Sequence, residues 1–146
     1  MAPAWDLLTP TSGAAYADIN NDGALDILVS TNGGPAYLFQ NAGVTNNGLR
    51  IKAVGRRSNR SGIGAVVRVQ TPAGIMSKVV HSGSSYCSQS ELTLTFGMGT
   101  QTTAEQVEIQ LPSGERDVLK NLAVNSTYTV EEGGKILNAR PFKKTA

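Results

Sequence analysis

The chain has 146 residues, a formal net charge of +2 and one cysteine. No apolar run approaches the roughly 18 residues that span a bilayer, the length suits one domain with at most a small appendage, and a lone Cys87 excludes both an internal disulfide framework and a cysteine-rich zinc site. Charge is unevenly placed: residues 1–49 hold four aspartates and no Lys or Arg, whereas residues 50–146 hold all 13 basic residues against seven acids.

Residues 1–12 are irregular, with Pro3, Pro10 and a Thr/Ser cluster. Residues 1–6 lack the basic and apolar regions of a signal peptide and read as a boundary inside a longer protein. Strands are expected at 13–18 and 25–31, joined by Asp18-Ile19-Asn20-Asn21-Asp22-Gly23-Ala24-Leu25-Asp26. Oxygen-bearing side chains fall at its first, third, fifth and ninth positions. A hard cation such as Ca2+ takes six to eight oxygens at about 2.3–2.6 Å. Asp18, Asn20, Asp22 and Asp26, with the carbonyl of Ala24, are therefore the expected ligands, and Gly23 permits the sharp turn. No basic residue precedes Arg50, so none is expected to compete for these carboxylates. The same residue types also suit an Asx-rich turn that binds nothing. An EF-hand is excluded, because position twelve is Val29 rather than glutamate and the exit is a β-branched apolar run.

Asn32-Gly33-Gly34-Pro35 reads as a hairpin turn into a strand at 36–40, and 41–48 as a connector. The run from Gly13 to Asp18, Asp26-Ile27-Leu28-Val29 and Tyr37-Leu38-Phe39-Gln40-Asn41 resembles an FG-GAP/VCBS repeat. That resemblance implies a β-propeller blade with calcium held in its loop, as found in secreted proteins. A single blade cannot close a propeller, so it is expected to pack on the rest of the chain, on the remaining blades of a longer parent, or on another copy in a homo-oligomer.

From Leu49 onward apolar and polar residues alternate in short runs: 49–54, 65–71, 75–82, 91–96, 106–111, 115–119, 126–131 and 135–138. Pro72-Ala73-Gly74, Pro112-Ser113-Gly114 and Gly133-Gly134 supply turns. The expectation is an all-β protein, with an antiparallel β-sandwich or jelly roll over 49–139, a blade-like hairpin unit over 1–41 and a tail at 140–146. Helical character is confined to a turn or two near 100–106 and 119–124.

The second region carries Gly55 with Ser58-Asn59-Arg60-Ser61-Gly62-Ile63-Gly64-Ala65. Gly83-Ser84-Ser85-Tyr86-Cys87-Ser88-Gln89, Leu94-Thr95-Phe96-Gly97-Met98-Gly99 and Leu111-Pro112-Ser113-Gly114 follow in order. It resembles the ASPIC/UnbV domain, which usually follows FG-GAP/VCBS repeats. The family commonly has tryptophan where Leu111 and Gly48-Leu49 stand. The resemblance implies an extracellular interaction module and brings no catalytic residues. In the residues themselves, Arg60 reads as an arginine locking its loop, and Tyr86 and Gln89 as a buried polar pin. Cys87 reads as a small buried or half-buried residue.

Chemistry is sparse. His81 is the one histidine, and Ser82-Gly83-Ser84-Ser85 does not match a nucleophile elbow. Paired-carboxylate hydrolysis needs two acids in different environments; Glu105, Glu108, Glu115 and Asp117 read as solvent-facing. No catalytic constellation is recognisable. Lys52, Arg56, Arg57, Arg60 and Arg68 crowd together in sequence; they read first as an ordinary solvated strand face, and if they share one face they would attract a sulfated or uronic polysaccharide. Nucleic acid ranks last, because no recognition motif accompanies them. The functional expectation is a secreted or cell-surface calcium-binding adhesion or recognition module for carbohydrate or protein. A glycan-active hydrolase, or its accessory carbohydrate-binding module, is the alternative.

Overall fold

The structure, a computed structural model, describes residues 11–43 and 45–143. The described residues form eleven strands in three sheets and no helix, so no helix long and apolar enough to cross a membrane occurs among them. The first sheet holds β1 (Thr11–Ala17), β2 (Asp26–Thr31) and β3 (Tyr37–Phe39), antiparallel with β2 in the middle. Side chains alternate across a strand, so the register aligns Tyr16, Ile27 and Phe39 on one face and Ala15, Leu28 and Leu38 on the other. Both faces are thus apolar, and Tyr16, Ile27, Leu28 and Leu38 are exposed.

The remaining strands make two four-stranded sheets. One contains β4 (Asn47–Val54), β7 (Leu94–Gly99), β10 (Ser126–Glu131) and β11 (Lys135–Pro141), in the order β11-β10-β4-β7. The other contains β5 (Val66–Thr71), β6 (Gly74–Val79), β8 (Thr103–Gln110) and β9 (Arg116–Ala123), in the order β6-β5-β8-β9. One core joins them, in which Leu49, Ile51, Phe96 and Val130 meet Val67, Val69, Val107 and Ile109, all essentially buried. Tyr128 adds its ring to this core and donates its hydroxyl to the carbonyl of Ala123 at 3.0 Å, so its polar tip is not stranded.

Three expectations change. The sandwich is not wholly antiparallel: β10 runs parallel to β4, from Ser126↔Leu49 to Glu131↔Val54. The chain leaves β4, forms β5 to β9, and only then lays β10 beside β4 in the same direction, a long connection of the kind parallel pairing needs. The stretches near 100–106 and 119–124 are not helical turns; they belong mainly to β8 and β9, whose pairing runs from Thr103↔Ala123 to Gln110↔Arg116. Ladder pairing there overrides weak local preference. Finally, the last expected strand, 135–138, runs on into the expected tail at 140–146, of which residues 144–146 lie outside the described residues. β11 extends to Pro141, Phe142 donates its N–H to the carbonyl of Asn125 at 2.8 Å, and Lys143 donates to the carbonyl of Asn21 at 2.7 Å.

Candidate functional site

The acidic loop lies where the first sheet meets the sandwich. Backbone pairing sets the contact: Glu91 donates its N–H to the carbonyl of Tyr16 at 3.0 Å, and Tyr16 donates to Ser90 Oγ at 3.2 Å. Within the loop Asn21 and Gly23 take positive φ values of 62° and 89°. A Cβ at Gly23 would run into the Phe142 ring, so glycine is required there for space as well as for conformation.

Each aspartate accepts hydrogen bonds. Asp18 Oδ1 takes the N–H of Asp22 at 3.1 Å, and Asp18 Oδ2 that of Gly23 at 3.0 Å. Asp22 Oδ1 takes the N–H of Ala24 at 2.8 Å, and Asp22 Oδ2 the amide of Asn20 at 2.8 Å. Asn20 Oδ1 in turn takes the Asp22 N–H at 3.1 Å. Asp26 Oδ2 accepts the N–H of Ile19 at 3.0 Å, and its Oδ1 accepts that of Asn41 at 2.9 Å, tying the loop to the segment after β3. The five expected calcium ligands therefore share one loop. As arranged, its carboxylates face N–H groups, and no three His, Cys, Asp or Glu side chains among the described residues are grouped so as to hold a metal ion.

One expectation fails here. A basic residue does reach these carboxylates: Arg50, on β4, places Nη1 2.7 Å from Asp18 Oδ2 and pairs its Nη2 with Glu91 Oε2. Its Nε donates to Thr95 Oγ1 at 3.2 Å. Arg50 is 3% exposed, and the Asp18 side chain is fully buried. The alternation of β4 puts Arg50 and Lys52 on the same outer face. The acidic loop covers the first and leaves the second exposed. Sequence carried one trace of this, the absence of any cation among residues 1–49 to balance their aspartates.

A second cluster was invisible to sequence reading. The loop after β4 is held by Glu132, which is 7% exposed. Its Oε2 accepts the consecutive N–H groups of Arg56, Arg57 and Ser58 at 2.6, 2.6 and 2.8 Å. Its Oε1 accepts Ser58 Oγ at 2.9 Å and the hydroxyl of Ser113. The Ser113 hydroxyl, reinforced by the Ser58 and Arg56 N–H groups, lowers the Glu132 pKa from 4.5 to about 2, against the opposing pull of burial. Asn59 closes the other half of the loop, accepting the N–H of Ile63 at 2.9 Å and donating to its carbonyl at 2.7 Å. Gly55 is needed because a Cβ would lie 2.6 Å from the Ser58 carbonyl oxygen and nearer still to that of Asn59. Nothing in Glu131-Glu132-Gly133-Gly134 distinguishes this carboxylate from an ordinary turn acid.

The expected basic cluster divides. Lys52 projects from the outer face of one sheet and Arg68 from the outer face of the other, since Ile51 and Ala53, and Val67 and Val69, point into the core between them. Arg68 is also paired with Glu108 at 2.8 Å. Only Arg56, Arg57 and Arg60 stay together, on the loop between β4 and β5, and all three are exposed. Arg60 therefore does not lock the loop; Glu132 and Asn59 do.

Other assignments move as well. Tyr86 is 76% exposed and Cys87 is exposed, in a loop where Gly83 and Cys87 take positive φ values. Gln89 is exposed too, although its Oε1 accepts the N–H of Gly83 at 2.8 Å and so pins its own loop. Asp117 is buried rather than solvent-facing, accepting the N–H of Gly133 at 3.0 Å. His81 is exposed, with Nδ1 3.1 Å from the carbonyl oxygen of Val79.

The sequence profile of the family described as ASPIC and UnbV matches residues 55–137, which span the loop after β4 and most of the sandwich. Human cartilage acidic protein 1 is 29% identical over 125 residues, covering 83% of this chain and 19% of that protein. The chain thus corresponds to about a fifth of the length of this relative.

Proposed function

Because the chain belongs to the ASPIC and UnbV family, we propose that it is an extracellular recognition module for carbohydrate or protein, with one calcium ion held in the acidic loop. The observation carrying the metal part is charge balance. Arg50 is the one guanidinium paired with loop carboxylates among the described residues, and it is shared between Asp18 and Glu91. Asp22 and Asp26 meet only N–H groups there. The donor set is all oxygen, which fits a hard cation. Asp18, Asn20, Asp22, Asp26 and the carbonyl of Ala24 would hold it. The ion would supply structural closure of the loop, and Arg50 would carry that closure to the sandwich.

The recognition part rests on the family and on the human relative, whose name places it in cartilage. The two apolar faces of the first sheet support its being one unit of a larger assembly, either blades of a longer parent or copies of this chain. Gel filtration with light scattering, with calcium and with chelator, tests the second of these. The functional test is a glycan and extracellular-protein array probed in both conditions, with turnover assays on each hit. Binding without turnover is expected. Sugar release that survives Asp22→Ala would instead favour the hydrolase reading.

A further inference from the structure

The loop that Glu132 organises faces an open cleft of about 510 Å³, lined by Arg56, Arg57, Glu115, Glu132 and Gly133. That volume lies within the roughly 300–1,000 Å³ typical of small-molecule sites. Two features separate this place from ordinary basic surface. First, its backbone is fixed: three successive N–H groups converge on one carboxylate oxygen, so the Arg56 and Arg57 side chains spring from an anchored base. Ordering entropy that a flexible loop would lose on binding is thereby already spent. Second, the guanidinium groups are unengaged. The ion pairs among the described residues involve Arg50, Arg68 and Arg116, and neither Arg56 nor Arg57. Glu132, although it lines the cleft, has its oxygens committed to three N–H groups and two hydroxyls.

From this geometry we infer that the cleft binds an acidic saccharide, with Arg56 and Arg57 holding its carboxylate or sulfate group and Glu115 accepting a hydrogen bond from a neighbouring sugar hydroxyl. Planar guanidinium forks match oxyanions in two-bond geometry. Glu115, exposed and also lining the cleft, is an acceptor that a hydroxyl-bearing ligand can use and a bare anion cannot. The site deepens the recognition reading proposed above and rests on it, but it does not involve the calcium loop.

The test is isothermal titration of the intact chain at low salt with three oligosaccharides of equal length: a polyuronate, a sulfated galactan and a neutral glucan. One-site binding of at least one acidic oligomer is expected, with none of the neutral one; the stronger acidic ligand identifies carboxylate or sulfate as the group recognised. Arg56→Gln/Arg57→Gln should weaken that binding at least tenfold. It keeps the backbone N–H groups that Glu132 holds, so its melting temperature should match the parent's. Arg56→Lys/Arg57→Lys, which retains charge without the fork, should recover only part of the affinity, and Arg116→Gln/Lys120→Gln should leave it unchanged. Failure of both acidic oligomers to bind, or equal binding by the Arg56→Gln/Arg57→Gln chain, overturns the inference. If an array ligand still binds that double variant unchanged, the recognition reading survives without this site; if the array yields no ligand at all, both fall.

Discussion

Replacing Arg50 by methionine removes the cation shared by Asp18 and Glu91 while retaining an unbranched apolar stem. Both the guanidinium and the Asp18 carboxylate are buried, so water cannot take over the lost interaction. Breaking one side of a buried ion pair costs about 3–5 kcal/mol, most of it the penalty of leaving a charge unpaired. Glu91 is partly exposed and recovers some hydration, which favours the lower half of that range. In a chain of this size the loss corresponds to a fall in Tm of roughly 6–15 °C. The assay is chemical and thermal unfolding in chelator, so that no ion substitutes for the guanidinium. A double-mutant cycle with Asp18→Asn should give a coupling above about 1 kcal/mol, because the second change removes the stranded charge. A loss below about 1 kcal/mol, or additive effects in the cycle, would refute the view that Arg50 fastens the acidic loop to the sandwich.

Glu132 makes a pH prediction. Its folded pKa is lowered to about 2 from 4.5, so its contribution to stability is complete above pH 4.5 and is lost as pH falls toward 2. Glu132→Gln should lower Tm at neutral pH and flatten the acid limb of the Tm profile; an unchanged limb would mean that the carboxylate is not held ionised. Gly55→Ala should cost about 1–3 kcal/mol, since the new methyl meets backbone oxygens that cannot swing aside. Gly97→Ala, where a Cβ meets nothing within 4 Å, should stay within about 0.5 kcal/mol of the parent. Comparable losses at the two glycines, measured by urea unfolding, would contradict the packing described for the β4–β5 loop.

Much of the sandwich was legible because its strands bury one side each. Val67 and Val69 against Arg68, and Val107 and Ile109 against Glu108, declare period two locally, and the structure keeps those assignments. The parallel pairing of β4 with β10 was not legible, because nothing in either strand names its partner or direction. Arg50 and Lys52 have the same local pattern and opposite fates, decided by whether the acidic loop arrives on top of them. The loop residues themselves stood out by spacing, and their bonds to N–H groups are mostly local, whereas the pairing of Asp18 with Arg50 depends on a residue far along the chain. Glu132 and Asp117 were missed for a similar reason. A carboxylate that gathers N–H groups from another loop looks, in sequence, like any acid beside a turn.

Cation binding by the acidic loop separates a metal-closed loop from one closed by its hydrogen bonds and Arg50 alone. Calcium titration followed by calorimetry and by thermal unfolding addresses it most directly. For affinities of about 10⁻⁴–10⁻³ M, as in extracellular modules, about 10 mM free calcium should add roughly 1.4–2.7 kcal/mol and raise Tm by some 3–10 °C over chelator, an increment that Asp22→Ala abolishes. No saturable heat, together with identical melting in calcium and in chelator, would contradict it.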